Sequence, residues 1–337
     1  MIHWRRYCQA LTLVLGLGCG GAGPDVAADP PTDSSAATRR LLEAANATDS
    51  TGAVEAEMQN VDFHIEPGIV LQIARLDGSL TRAMKDRPVT FDDGRSFIMN
   101  IRSARIAMGL ASLDTLLNRH VFGFHGSQLK NLEVSIDSGM LVQRGKLHKV
   151  IWVPFTIRSA VSITKDGLIR LHPVSVKALG INVRGLLKFL GTQLDDMIKV
   201  ERGRGARIEG DDFLLDAAAM LPAPRVRGHL TDVKVEPGGL ALVFGSGAGK
   251  PGSADQNYMW FRKGVLRFGK LTMADADLKI VDEDPRDRFD FSLIQYNEQL
   301  VAGTVHNTRN FGLVVHMPDF SSLPRAPRSP VKLDSKR

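Results

Sequence analysis

Apolar and polar residues alternate along much of the segment between residues 151 and 244. Between residues 151 and 157 every second side chain is apolar, and shorter alternations follow at 161–163 and 169–171. A period of two is typical of a strand that buries one face. The pattern therefore predicts neighbouring strands with a shared apolar face. The positions on this face include Ile151, Val153, Phe155, Ile157, Ile169 and Leu171.

A helical pattern interrupts the strands between residues 183 and 198, where apolar residues recur at spacings of three and four. This spacing places them in one stripe along a helix, which a sheet must cover. The stripe consists of Val183, Leu186, Leu187, Leu190, Leu194, Met197 and Ile198. A second, shorter helix is predicted between Ser112, a suitable N-cap, and Gly123, a suitable stop.

Turn residues separate further strands and predict hairpins. The turns are at 137–139, 165–167 and 236–239, and each contains glycine. Earlier strands are predicted within 61–76 and 96–108. After Gly245 the pattern predicts five more, at 258–268, 271–281, 289–296, 299–306 and 311–317, all antiparallel. These either extend the first sheet or form a small second β unit, so the chain belongs to the α+β class.

The N-terminus has the features of an export signal over residues 1–19. Arg5 and Arg6 precede a short apolar run from Ala10 to Leu17, which is too short to span a bilayer. The sequence Leu15-Gly16-Leu17-Gly18-Cys19 resembles the bacterial lipobox and predicts a lipid attached to Cys19, although a lipobox usually has leucine where Gly16 stands. The alternative is ordinary signal cleavage near Ala27-Ala28.

Composition fits an exported protein with a folded body between a linker and a tail. The only cysteines are Cys8 and Cys19, so a mature body has no thiol for disulfides or thiol catalysis. A flexible linker is predicted over 20–55, the main domain over 56–244, the additional β segment over 254–320 and a basic disordered tail over 321–337. We therefore expect a protein of the bacterial cell envelope, in the periplasm and anchored to a membrane.

The net charge of +6 comes from the two ends of the chain. Without the leader and the tail that follows Pro324, basic and acidic residues are equal in number. Only 6% of the residues are aromatic, so a nucleic-acid surface built on stacked rings has little to use. We therefore expect no nucleic-acid partner.

No motif for covalent chemistry or for a metal is complete. The glycine-rich run before Lys250 fails the phosphate-loop spacing, because Phe244 and Pro251 stand at required positions. The acidic run 282–287 lacks the glycine and the closing glutamate of a calcium loop. No HExxH or GxSxG sequence is present. We expect no enzyme activity, metal or cofactor, and only a Ser, His and Asp cluster assembled from distant residues stays open.

Residues 147–244 resemble a known family in the order of their segments and in the amino-acid sequence of several of them. The resembling pieces are Val153-Pro154-Phe155, Lys165-Asp166-Gly167-Leu168-Ile169, residues 174–181, the helix to Ile198, Met220-Leu221-Pro222-Ala223-Pro224 and residues 228–244. They are similar to phospholipid-binding envelope proteins of the LmeA type, in the TULIP-like (tubular lipid-binding) superfamily. The resemblance implies a long, curved antiparallel sheet wrapped around one long and one short helix, with an apolar groove. The segment after Gly245 departs from the short members of this group.

The resemblance implies that the groove binds or carries phospholipid or another acyl-chain lipid, without covalent chemistry. The head group would meet Lys177, Arg184 and Lys188 at the mouth. The predicted groove residues are Ile151, Val153, Phe155, Ile157, Ile169, Leu171, Leu186, Leu187, Leu190 and Leu194. The alternative is a sealed core in a structural or assembly lipoprotein that binds another envelope protein through its β surface. An envelope hydrolase is a third possibility and requires convergent Ser, His and Asp side chains.

Overall fold

The computed structural model describes residues 52–148, 151–178, 181–182, 200–201, 203–247, 255–310 and 312–324, together with residues 36, 39, 40 and 43. Most of these residues lie in strands, arranged mainly in large antiparallel sheets with two short helices, which is compatible with the predicted α+β class. The predicted long helix at 183–198 lies outside the described residues.

The largest sheet contains eleven of the described strands. They are β1 (Val54–Glu66), β2 (Ile69–Arg82), β4 (Phe97–Gly109), β12 (Arg225–Arg227), β13 (Leu230–Glu236), β14 (Gly239–Phe244), β15 (Tyr258–Arg262), β18 (Asp277–Asp282), β19 (Phe289–Ser292), β20 (Thr304–Asn307) and β21 (Leu313–Met317). Their order is β13-β14-β4-β2-β1-β15-β18-β21-β20, with β12 paired to β4 and β19 paired to β1.

A second sheet holds seven of the described strands and a third holds three. The seven-stranded sheet consists of β5 (Leu129–Asp137), β6 (Met140–His148), β7 (Trp152–Ile163), β8 (Ile169–Ala178), β9 (Ile181–Asn182), β10 (Ala206–Glu209) and β11 (Asp212–Leu215). Its order is β10-β11-β8-β7-β6-β5, with β9 paired to β8. The small sheet consists of β3 (Val89–Thr90), β16 (Leu266–Phe268) and β17 (Leu271–Met273).

The helical elements are short and lie beside the strands. Helix α1 spans Leu110–Leu116 and continues as a π-helical turn over Leu117–Val121, whereas α2 spans Tyr296–Ala302. Two 3₁₀ turns occupy Gly94–Ser96 and Phe320–Ser322. The predicted N-cap Ser112 is wrong, since Gly109 precedes the helix. The Ser112 hydroxyl instead accepts the backbone N–H of Val70 at 3.1 Å, which fastens α1 to β2.

The three predicted hairpin turns are confirmed. They join β5 to β6, β7 to β8 and β13 to β14, each in antiparallel register. Gly139 and Gly167 have φ values of +73° and +77°, which glycine adopts without the steric cost of a Cβ atom. The turn residues thus mark these strand ends because the backbone there must enter the left-handed region.

Most of the C-terminal strands extend the large sheet, whereas β16 and β17 join the small sheet. They are not all antiparallel as predicted. Strand β15 pairs antiparallel with β1, while β19 runs parallel to β1 and β21 runs parallel to β18. The segment 299–306 was predicted as one strand, yet its first part belongs to α2. There Tyr296 and Gln299 are both buried one helical turn apart, and Gln299 donates to the carbonyls of Asp290 and Pro318.

Strand β1 divides one of its edges between two neighbours. Residues Glu55–Gln59 pair with β15, and residues Val61–His64 pair with β19. Asn60 lies between these stretches with φ +50°, a conformation that asparagine tolerates better than most residues. The same strand pairs along its other edge with β2. Strand β1 therefore joins β2, which follows it in the chain, to the C-terminal strands β15 and β19 within one sheet.

Candidate functional site

The site predicted from sequence is an apolar interior, and the structure places such an interior between the large sheet and the seven-stranded sheet. Helix α1 lies at this boundary, with Leu113, Leu116 and Leu117 buried. From the large sheet, Met108 and Leu242 face the boundary, and from the other sheet Leu141, Ile169 and Leu215 do so. The two sheets thus bury apolar faces against each other, which is the main source of stability for such layers.

Three small cavities lie next to one another, two of them beside the seven-stranded sheet and one over the large sheet. Cavity 1, of about 20 Å³, lies among the π-helical turn, β5–β8 and β11. Cavity 2, also about 20 Å³, lies below α1 between the two sheets, and cavity 3, about 30 Å³, lies over β1, β2, β4 and β14. Cavities 1 and 2 share Leu117, Val134, Gln143 and Leu215, while cavities 2 and 3 share Met108, Ala217 and Leu242. We call this line of adjacent cavities the apolar seam.

The seam is nearly closed in this structure. A cavity needs about 10–15 Å³ to hold one water molecule, so each cavity is large enough for one or two. Sites for drug-sized ligands occupy about 300–1,000 Å³. An acyl chain therefore enters only if side chains along the seam rearrange or the two sheets separate.

The predicted groove residues fall into three groups. Phe155, Ile157 and Leu171 line cavity 1, and Ile169 lines cavity 2. Val153 is half-buried and lines none of these three cavities, and Ile151 is 68% exposed. Ile151 departs from the prediction because β7 begins only at Trp152, so the alternation continues beyond the strand that enforces it. The remaining predicted residues, Leu186, Leu187, Leu190, Leu194 and Cys19, lie outside the described residues, as do Arg184 and Lys188.

Most of the seam comes from residues that the sequence pattern did not assign to it. Cavity 3 is lined by β1, β2, β4 and β14, including Phe63, Leu71 and Ile106. The alternation of Ile69, Leu71 and Ile73 was a usable signal for this wall. Gln143 was also missed. It is the one polar residue among those that line the three cavities in the described structure.

A separate polar cleft of about 500 Å³ is open to solvent at the ends of β1 and β19. Its lining includes His64, Ser112, Asp290, Asp319 and Ser321. The Nε2 atom of His64 lies 2.5 Å from Oδ1 of Asp290. Thus Ser, His and Asp do share a cleft, as an envelope hydrolase requires. Among the hydrogen bonds of the described residues, however, none joins a serine hydroxyl to His64, so the nucleophile and base contact of a triad is not formed.

The pKa values of two carboxyl groups in the cleft, Asp319 and Asp290, are shifted in opposite directions. Burial and the carboxylates of Asp282, Asp287 and Asp290 raise the pKa of Asp319 to about 6, although its Oδ1 accepts the backbone N–H of Asp290 at 2.7 Å. Burial alone would raise the pKa of Asp290 as well, but contacts with His64 and Ser321 lower it. Asp290 is therefore ionised at neutral pH while Asp319 is close to its titration range.

The raised pKa of Asp319 predicts a stability that falls as pH rises. Between the ordinary value of 3.8 and about 6 the folded protein holds a proton that the unfolded chain has lost. We expect Asp319→Asn, which keeps the acceptor for Asp290, to raise the free energy of unfolding at pH 8 by about 1 kcal/mol, after discounting for solvent screening. The difference should disappear near pH 4. Urea unfolding at both pH values measures it.

Asp284→Asn is the matched control for this prediction. The Asp284 carboxylate is exposed, and its hydrogen bonds with Arg286 lower its pKa to about 2. Its replacement should bring no gain at pH 8. An Asp319→Asn variant whose stability changes equally at pH 4 and pH 8 would show that packing, rather than titration, causes the effect.

Within the described part of the chain, no three His, Cys, Asp or Glu side chains form a group that could hold a metal ion. No helix among the described residues has the length and apolar composition needed to cross a membrane. Comparison with known proteins gives no further assignment. No protein-family model, curated protein sequence or solved structure matches this chain.

Proposed function

We propose that this chain binds acyl-chain lipid in the apolar seam and carries it at the bacterial cell envelope, without covalent chemistry. In this proposal the two sheets form the wrapped, TULIP-like body that the sequence resemblance implies, and a lipid on Cys19 anchors the protein to a membrane. The observation that supports it best is the adjacency of three apolar cavities, which share the walls named above.

The chemistry of the seam suits acyl chains. Apart from Gln143, its described lining side chains are all apolar, and each methylene moved from water into such surroundings contributes about 0.8 kcal/mol. Gln143 lines both cavity 1 and cavity 2, and its side chain forms no hydrogen bond with a described residue. Its amide is available to a polar group of a ligand, such as an ester carbonyl.

A lipid enters the seam only if contacts between the lining side chains are broken, which costs free energy. The side chains around cavities 1 to 3 already pack on one another, so a ligand must replace those contacts with its own. A ligand long enough to pass through all three cavities regains more contact area than one that fills a single cavity. The proposal therefore favours long acyl chains over short apolar molecules.

Replacing Leu215 with tryptophan is expected to reduce lipid binding at least about tenfold, a change that corresponds to about 1.4 kcal/mol. Leu215 lines cavities 1 and 2 and is buried, so the larger ring fills the space where they meet. The measurement is native mass spectrometry with lipid extraction on the full chain, purified gently from a bacterial host. Phospholipid should accompany the unmodified protein and be lost from the variant.

Two further variants control this experiment. Leu271→Trp adds the same ring at an exposed position of β17, so it should retain the lipid. Ala217→Leu narrows the junction of cavities 2 and 3 with a smaller side chain, which guards against a folding defect in Leu215→Trp. Near-UV circular dichroism checks folding. A lipid-free unmodified protein, or equal lipid on Leu215→Trp and Leu271→Trp, would overturn the proposal.

One observation favours the alternative of a sealed protein that binds a partner through its β surface. Strand β20 forms an edge of the large sheet, and its four residues are all exposed. Val305 on this strand and Val301 on α2 are 52% and 87% exposed. An unprotected edge can accept a strand from another protein. A lipid-free protein that binds an envelope partner, and loses it when Val305 is changed to lysine, would support this function instead.

A further inference from the structure

One end of the seven-stranded sheet carries a group of basic and apolar side chains, which we call the basic-aromatic patch. It consists of Lys130, Lys146, His148, Ile151, Trp152 and Lys177. Phe155 and Ile157 of β7 line cavity 1. Successive side chains of a strand point to opposite faces of the sheet, so Trp152, three residues before Phe155, faces away from the seam. Trp152 pairs with His148, and Lys146 pairs with Lys130, which places these side chains on the same outward face.

The positive charge of the patch has no counterpart within the described protein. Lys130 and Lys146 are direct cross-strand partners, an arrangement of like charges that destabilises a sheet. Neither they nor Lys177 forms an ion pair with a residue that the structure describes. Farther along the same sheet two cations are paired, since Arg158 lies 2.8 Å from Asp137 and Arg170 lies 2.6 Å from Asp212. The three lysines without an ion-pair partner among the described residues therefore lie together at this end.

Exposed apolar groups lie among these cations. Ile151 is 68% exposed and Trp152 is 37% exposed. The Nζ atom of Lys130 lies 3.7 Å from the centroid of the Trp152 ring, and the His148 ring lies 4.9 Å away. Tryptophan beside lysine is the combination that favours the boundary between lipid head groups and acyl chains, because the ring is amphipathic and the ammonium meets phosphate.

We propose that the basic-aromatic patch docks this protein on the surface of an anionic phospholipid bilayer. The lysines contact lipid phosphates, while Ile151 and Trp152 enter the head-group region. This inference goes beyond lipid carriage and does not depend on it, because docking requires no ligand in the seam. Docking through this patch also determines which end of the seam lies nearest the bilayer. Leu129 and Phe155 line cavity 1. Leu129 directly precedes Lys130 on β5, and Phe155 follows Trp152 by three residues on β7, so docking brings this end of the seam to the bilayer.

Vesicle flotation tests the docking. The full chain is used with Cys19→Ser, so that an attached lipid does not contribute. The vesicles contain phosphatidylcholine alone or equal parts of phosphatidylcholine and phosphatidylglycerol. We expect binding to the anionic vesicles only, and weaker binding as salt increases. Each lysine near such a surface contributes about 1 kcal/mol, so changing Lys130, Lys146 and Lys177 together to glutamine should weaken binding about 100-fold.

The matched control changes Lys165, Lys234 and Lys270 to glutamine. These exposed lysines lie in other parts of the fold, and the net charge changes by the same amount, so binding should stay within a few-fold of the unmodified protein. Trp152→Ser should weaken vesicle binding without changing the net charge. Equal losses in the two triple variants would overturn the proposal, since binding would then follow overall charge.

A short DNA duplex distinguishes a bilayer from polyanions in general. If the patch recognises a membrane surface, Trp152→Ser lowers affinity for anionic vesicles and leaves the weak affinity for DNA unchanged. If the protein binds DNA tightly and fails to float with anionic vesicles, the docking proposal is wrong. Failure of docking leaves the mass-spectrometric lipid result unaffected, so the two proposals are judged separately.

Discussion

Replacing Phe91 with alanine should lower the free energy of unfolding by about 3–5 kcal/mol, the usual cost of removing a buried phenylalanine side chain. Phe91 is 2% exposed. Its ring centroid lies 4.9 Å from that of Phe261, 5.4 Å from Phe268 and 6.0 Å from Tyr296. Loss of the ring removes these aromatic contacts and leaves a cavity among them.

Because of its position, Phe91 also tests whether the N-terminal and C-terminal parts of the described fold unfold together. Its aromatic neighbours Phe261, Phe268 and Tyr296 belong to the C-terminal segment, whereas Phe91 follows β3. We therefore expect urea unfolding to show a single transition that shifts as a whole in the variant. Phe91→Leu, which keeps most of the apolar volume, should cost about 1 kcal/mol. A second transition that alone responds to Phe91→Ala would show that residues 255–324 unfold independently.

Replacing Arg75 with methionine should be nearly as destabilising, at about 3 kcal/mol, because it removes the nearer of two cations from a buried carboxylate. Only the more exposed Arg262 then remains, 3.5 Å from Glu57. The Nη2 atom of Arg75 lies 2.6 Å from Oε1 of Glu57. Both residues are buried, at 6% and 4% exposure. The Tyr258 hydroxyl also donates to this Glu57 oxygen, and Arg75 donates to Gln59 at 2.9 Å.

A double variant separates the ion pair from packing. Glu57→Gln combined with Arg75→Met removes both charges and should recover a large part of the lost stability, as measured by urea unfolding. Arg102→Met is the control. Arg102 contacts Glu55 at 2.5 Å and Asp77 at 2.6 Å but is half-exposed, so its loss should cost less than about 1 kcal/mol. Equal costs at the two arginines would contradict the importance assigned to burial.

Local sequence patterns predicted those parts of the fold that local backbone preferences determine. The turns at Gly139 and Gly167 were identified because glycine there has positive φ. Strand partners are determined by tertiary packing, which a local pattern does not contain. The parallel pairs β1–β19 and β18–β21 were missed for this reason. Helix α2 was predicted as parts of two strands because the polar Gln299 occupies its buried face beside Tyr296, so no apolar stripe marks the helix.

In the candidate site, too, the sequence pattern predicted one apolar face but not the face that packs against it. Alternation identified Phe155, Ile157 and Leu171 as residues of one apolar face, and these residues line cavity 1. It did not identify the opposing wall, since Met108 and Leu242 lie far from them in sequence. The amount of free space between two apolar faces depends on how all their side chains interlock, so the narrowness of the seam required coordinates.

The divided edge of β1 has a consequence for the order of events on the ribosome. One edge of β1 is covered only when residues 258–262 and 289–292 are present, and synthesis proceeds from the N-terminus. A nascent chain therefore exposes an unpaired strand edge until most of its translation is complete, and such edges promote aggregation. This topology favours a chain that is kept unfolded by chaperones until it is whole.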